Sequence, residues 1–300
     1  MQNKEYDALA TQEGAHWGAV SADPENPQIW EDDRLFEIFF GHEFRCLVDH
    51  ARDCGPRVLE LGCGRGGLAL SLAELGLSVT GIDLSLERIS FARREAERRG
   101  LTRRASFQVG DLNVMSLPVQ SFECVVAHDS LHHILELESL MERVSASLVP
   151  GGTLIVMDFV GMGLVRKIIS AGLFALLPTF QPYRKKWRLR ARLKSFLASE
   201  ADKRRDLSTG SSELLNPESP FEEISGKSIL HLIQRHFDIR ECFTFLPFWY
   251  YFAPKIRLSG ENRYRVARVF RRLDDAIVRF LPNSGAHIFI VARRRNNVQS

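Results

Sequence analysis

Residues Val58 to Leu70, V-L-E-L-G-C-G-R-G-G-L-A-L, constrain this chain more than any other stretch. They spell a buried strand, a tight glycine loop and the start of a helix. Glycines 62, 64 and 66 remove the Cβ atoms that would keep a ligand away from the backbone. A loop of this kind at a helix N-terminus cradles a nucleotide. Gly62, Gly64 and Gly67 also satisfy G-x-G-x-x-G, so a dinucleotide is one candidate. Glu60 argues for another. A carboxylate two residues before the first glycine would repel a pyrophosphate, but it suits a ligand carrying a sulfonium and an ammonium, as S-adenosylmethionine does.

Around this loop, apolar periodicity and turn residues lay out a repeating pattern. An amphipathic helix is expected from Trp30 to Asp53, broken by Gly55-Pro56. Strands are expected at 57–61, 78–82, 105–109, 122–127 and 153–159, with helices at 67–75, 86–99 and 131–148 between them. Five alternations in about 100 residues mean a parallel sheet covered on both faces. A helix at 220–235, capped by Glu222 and Glu223, a strand at 237–245, a helix at 261–281 and a strand at 286–293 would complete seven strands. The predicted fold is therefore α/β: a doubly wound, mostly parallel seven-stranded sheet with a helical cap insertion. Its predicted parts are an N-terminal arm and helix (1–55), a cofactor-binding core (56–159), a cap with a basic segment (160–219), a C-terminal completion of the sheet (220–295) and a polar tail (296–300).

Composition excludes little but locates the charge. The net charge is +3, yet Arg184 to Arg205 holds ten Lys/Arg against two acids, a local +8 that leaves −5 for the rest. Five cysteines with no C-x-x-C pair favour reduced thiols and a cytoplasmic setting. The N-terminus has no apolar stretch of the secretory kind.

Taken together, the motifs resemble the class I S-adenosylmethionine-dependent methyltransferases from about Val58 to Phe159. E-L-G-C-G-R-G matches the first motif of that family, G-I-D-L-S (81–85) its acidic strand-2 end, G-D-L (110–112) its adenine loop, and L-V-P-G-G-T-L (148–154) its turn into strand 5. The resemblance implies that Glu60, Gly62, Cys63, Gly64, Gly66, Asp83, Leu84, Asp111, Leu112 and His128 hold S-adenosylmethionine. Asp83 would accept from the ribose diol at a strand's carboxyl end, and Asp111 from the adenine amino group. Cys63 is expected to be a small residue where bulk is excluded. A nicotinamide-dependent oxidoreductase would share the loop and Asp83, and a cofactor-binding protein with non-methyl chemistry or a scaffold role would share all of it.

At the edge of strand 4 stands A-H-D-S-L-H-H-I (127–134), and strand 5 ends in M-D-F (157–159). The pairing is similar to small-molecule methyltransferases, especially the rebeccamycin-type sugar O-methyltransferases. That resemblance implies His132 or His133 as general base, with Asp158 orienting the imidazole or gripping the acceptor. Imidazole suits the task because its unperturbed pKa lies near neutrality. No metal site is expected, and the acceptor is expected to be a small molecule, apolar, glycosylated or lipid-like. O-methylation is preferred over N- or C-methylation. The uncharged stretch 168–183 and the basic run 183–194 admit an apolar lid, a peripheral membrane contact through 164–194, or, least favoured, nucleic-acid binding. Within 245–254, F-L-P-F-W-Y-Y-F-A-P, about half the residues are expected in the core, with Trp249, Tyr250 and Tyr251 free to wall an acceptor pocket. The arm around Trp17 is expected to close over the cofactor.

Overall fold

The computed structural model describes residues 4–19, 27–184, 198–208, 219, 221 and 224–295. Seven strands form one sheet in the order β3-β2-β1-β4-β5-β7-β6. They are β1 (Arg57–Leu61), β2 (Ser78–Asp83), β3 (Ala105–Val109), β4 (Phe122–His128), β5 (Leu148–Phe159), β6 (Phe237–Phe245) and β7 (His287–Arg294). The first five run parallel, and β7 inserts antiparallel between β5 and β6. β1 and β4 lie centrally and are mostly buried, as strands covered on both faces must be. Strand order reverses between β1 and β4, which opens a crevice at their carboxyl ends.

Helices α3 (Gly41–Cys54), α4 (Gly67–Glu74) and α5 (Leu86–Arg98) cover one face. Leu47, Leu70, Leu72, Ile89 and Phe107 pack there with Val58, Val126 and Phe289. On the other face lie α6 (Leu137–Ser147) and α9 (Ile229–His236), where Leu140, Met141, Val144, Ile229 and Ile233 meet Leu59, Val125 and Ile290. The cap has its own small core. Phe248, Phe252 and Ile256 are buried there against Leu173 and Phe174 of α7 (Leu164–Leu176), Leu177 just after it, and Phe270 of α10 (Gly260–Phe280).

Several expectations need correction. The arm, for which the sequence pattern indicated no element before Trp30, is a helix, α1 (Lys4–Ala19). The expected helix at 30–53 is a 3-10 turn, Ile29–Glu31, then α2 (Asp33–Phe39) and α3. Asp32 restarts the chain by accepting from the Arg34 and Leu35 N–H groups. Residues 131–133 are a 3-10 turn and α6 begins only at Leu137. Asp158 explains that interruption, because it takes the N–H groups of Ser130 and Leu131. β5 begins five residues earlier than the sequence indicated. The helix expected at 220–235 is only α9, preceded by a 3-10 turn at Gly226–Ser228. Residues 224 and 225 instead donate to the His132 carbonyl, which fixes them outside any helix. Glu222 and Glu223 lie outside the described residues, as do residues 185–197 of the basic run; α8 (Glu200–Ser208) follows that run.

Candidate active site

The glycine loop is held by the strand beside it. The Cys63 N–H donates to the Ile82 carbonyl at 2.9 Å, and the Gly64 N–H to Asp83 Oδ2 at 2.8 Å. Asp83 Oδ1 accepts from the Ser85 N–H at 2.9 Å. Each oxygen keeps a second lone pair, so the carboxylate can still take a ribose hydroxyl. Gly62 has φ 69°, and a Cβ there would lie 2.4 Å from the Ser130 Cβ. Cys63 packs beneath Gly81, where a Cβ would come within 2.8 Å of its sulfur. Burial first, then the charges of Glu60 and Asp83, push this thiol well above its usual range. Cys63 is a protonated filler.

Glu60 is the electrostatic centre of the loop. It is 3% exposed, and its Oε2 has no hydrogen-bond partner among the described residues. Burial, with the charge of Asp83 adding and the Ala69 N–H opposing, pushes it up to about 8. A buried carboxyl oxygen without a partner is costly to leave so. A cationic group offers both a donor and compensating charge, whereas a pyrophosphate would add repulsion. The residues present therefore fit S-adenosylmethionine.

The crevice around Asp111 is equally built, but by an element that periodicity missed. Asp111 Oδ1 accepts from the Asn113 backbone and side chain at 2.9 and 3.0 Å, and Oδ2 from the Tyr6 hydroxyl of α1 at 2.6 Å. Leu112 is buried, and its carbonyl accepts from Arg143 at 2.7 Å. α1 crosses the crevice: Gly14 abuts Leu84, and the Trp17 carbonyl accepts from Arg88 at 2.7 Å. His128 ends β4 with its ring edge-on to Phe44 of α3 and its Nε2 3.7 Å from Asp129 Oδ2.

His132 and His133 follow in the 3-10 turn, with ring centroids 4.1 Å apart. His132 Nδ1 lies 2.6 Å from Asp158 Oδ1, while Oδ2 accepts from Ser130 at 2.9 Å and Leu131 at 2.7 Å. Burial opposes the charge on Asp158, but His132 and the two N–H groups outweigh it and hold the carboxyl below its usual range. His133 Nδ1 lies 3.1 Å from Glu13 Oε1 of α1. The structure thus brings both histidines and Asp158 together, and adds Glu13, Tyr6 and Trp17. It also adds His287 at the start of β7, ringed by Phe40, Phe159, Phe245 and Tyr250. Burial pushes His287 down to about 4, so its ring is neutral near pH 7. Sequence gave no signal for Glu13 or His287; the helix that carries Glu13 has no apolar stripe. Among the described residues, no group of three or more His, Cys, Asp or Glu could hold a metal ion.

Known proteins bear on this geometry. Residues 58–152 match the family model described as "Methyltransferase domain". The ubiquinone biosynthesis O-methyltransferase of Methylocella silvestris is 37% identical over 98 residues, 33% of this chain and 38% of that protein. Phosphoethanolamine N-methyltransferase 3 of Arabidopsis thaliana is 36% identical over 106 residues, 35% of this chain and 21% of that protein. The chain therefore matches less than half the length of these curated relatives. Among solved structures, the [4+2]-cyclase SpnF superposes with TM-score 0.50 at 19% identity, covering 96% of this chain and 94% of that one. The geranyl diphosphate C-methyltransferase of Streptomyces coelicolor A3(2) gives 0.51 at 15%, covering 85% and 77%. These likenesses define the fold as the Rossmann-like methyltransferase fold. Residues 58–152 thus match a methyltransferase domain, and a geranyl diphosphate methyltransferase of the same fold was solved with S-adenosylmethionine bound.

Proposed function

We propose that the whole chain transfers a methyl group from S-adenosylmethionine to a hydroxyl of a small acceptor, with His132 as general base. Glu60, Asp83, Asp111 and the glycine loop would hold the cofactor, with Leu84 and Leu112 against it. When bound, the cofactor supplies a methyl group already activated by a positive sulfur. What remains for the protein is alignment and removal of one proton. Asp158, on Nδ1, sets the His132 tautomer, so Nε2 is the nitrogen that takes the acceptor's proton. The ionised Asp158 then stabilises the imidazolium until the proton passes to solvent. The observation carrying this reading is the 2.6 Å contact between His132 Nδ1 and Asp158, a carboxylate buried without exposure and still ionised.

Acceptor size and character are part of the proposal. A cavity of about 200 Å³ lies between the end of β5, α7 and the start of α8, lined by Phe159, Val160, Met162 and Leu164 with Lys167 and Ser199. Asp202 and Lys227 join Lys167 and Ser199 in its walls, so the walls suit a small amphipathic or lipid-like molecule with a polar group, a sugar hydroxyl being a narrower possibility implied by the resemblance to sugar O-methyltransferases. Peripheral membrane contact belongs to the same reading. α7 exposes Leu164, Val165, Ile168 and Ile169, and Arg166 donates to the Ser284 carbonyl, which brings the exposed Phe280 and Leu281 alongside. The basic run follows α7 in sequence, as binding to an anionic bilayer requires.

Incubation with labelled cofactor and candidate extracts tests the reaction. A labelled product about 14 daltons heavier than its precursor is expected, and His132→Ala or Asp158→Asn should lower turnover by about 10²–10⁴-fold with cofactor affinity within a few-fold. A product of unchanged mass would instead favour non-methyl chemistry.

A further inference from the structure

Glu13 lies where three separate parts of the chain meet. It is buried, yet it gathers donors from each part. Trp17 Nε1 of its own helix donates at 2.8 Å, Ser219 Oγ at 2.8 Å and the Phe221 N–H at 3.2 Å, and His133 Nδ1 lies 3.1 Å away. Burial pushes the carboxyl up, but His133, Trp17 and Ser219 outweigh it and hold it below its usual range. Glu13 is therefore an ionised, fully engaged carboxylate on a helix that crosses the crevice.

Docking of α1 does not require such a group. Tyr6 already reaches Asp111, and Arg88 already holds the Trp17 carbonyl and stacks 4.7 Å over its ring. A buried charge carries a desolvation cost that neutral contacts avoid. What Glu13 adds is a negative charge 3.1 Å from Nδ1 of His133, a contact of charge and not a formed hydrogen bond. In a neutral imidazole one nitrogen donates and the other accepts, and a carboxylate beside Nδ1 selects the Nδ1–H form. Asp158 does the same for His132 from the sheet side. Among the described residues, His133 faces the His132 ring at 4.1 Å, the Trp17 ring edge-on at 5.3 Å and Glu13, with Asp158 beyond His132.

We propose that Glu13 is a positioning residue: with α1 docked, it fixes the tautomer and orientation of His133, so the histidine pair is complete only when the helix lies across the crevice. The functional side of this inference rests on the methyltransferase reading above. Nitrogen-15 spectra of the imidazole rings, recorded with saturating S-adenosylhomocysteine, test it. His133 in the wild type is expected in the Nδ1–H form. Glu13→Met keeps the side-chain length but removes the charged oxygens, and should shift His133 to a mixture of tautomers. Glu13→Gln retains a carbonyl oxygen and should restore Nδ1–H, whereas Tyr6→Phe, which loosens α1 elsewhere, should leave His133 unchanged. His132 should stay Nδ1–H throughout. A wild-type signal for His133 in Glu13→Met overturns the proposal. If that variant does not fold, the wild type alone decides, since an Nε2–H His133 overturns the proposal and Nδ1–H supports it. Calorimetry with S-adenosylhomocysteine on the wild type separates the two claims. Binding together with an unmoved His133 defeats only the role of Glu13, and no binding defeats both.

Discussion

Glu60 turns the chemistry of the crevice into a measurable pH dependence. Without ligand its carboxyl is pushed up to about 8, so below that pH it carries a proton. A cationic ligand favours the ionised form, so binding expels that proton and the complex has the lower pKa. Affinity for S-adenosylhomocysteine, whose ammonium is positive, should rise with pH toward about 8 and level off above it, by at most about tenfold per pH unit. Glu60→Gln should flatten the profile, and 5′-methylthioadenosine, which lacks the ammonium, should show no such rise. Isothermal titration at pH 6, 7, 8 and 9 checks this; a steep profile surviving in Glu60→Gln would remove Glu60 from the cause. The same raised pKa weakens the empty fold as pH climbs from about 4.5 toward about 8, because the native state holds the proton that the unfolded chain has released. This residue was legible in sequence because its position before Gly62 already carried the charge argument. Its missing hydrogen-bond partner was not, since that depends on what β1 and α4 leave around it.

At the scale of elements, the parallel core was legible because β1 to β5 are apolar runs closed by glycine, proline or aspartate. The boundaries that failed lie where side chains, not periodicity, choose the backbone. Asp158 draws the Ser130 and Leu131 N–H groups into a turn where helix was expected, and the His132 carbonyl does the same to residues 224 and 225. α1 was invisible for a different reason: it docks through Tyr6, Glu13 and Trp17, polar-tipped residues that make no apolar stripe. In the aromatic run at 245–254, Phe248 and Phe252 are buried and Trp249, Tyr250 and Tyr251 partly so. α7 carries its own prediction. Leu164, Val165, Ile168 and Ile169 are exposed apolar residues on one helix, and burying such side chains in a bilayer boundary contributes roughly 1.5–3 kcal/mol each. The chain should co-sediment with anionic vesicles at low salt and less so at high salt. Replacing Val165 and Ile169 by Ser should weaken binding by at least about tenfold. No co-sedimentation at either salt would rule out the membrane contact and leave α7 as a lid over the cavity.

For the whole molecule, the sheet order decides where function can reside. The reversal between β1 and β4 gathers Gly62, Asp83, His132 and Asp158 at one edge, although up to 96 residues separate them in sequence. The antiparallel β7 brings His287 to that same edge, opposite Phe159. Among the described residues no helix is long and apolar enough to cross a membrane. The central claim is that the crevice beside Glu60 takes a sulfur nucleoside bearing a cationic group in preference to a phosphate-bearing one. The most direct test is calorimetric titration of dialysed wild-type protein, first with S-adenosylhomocysteine and then with NADH. A dissociation constant of about 1–100 μM, roughly −8 to −5.5 kcal/mol, is predicted for the first and no heat for the second. Binding of NADH with silence toward S-adenosylhomocysteine would contradict the account.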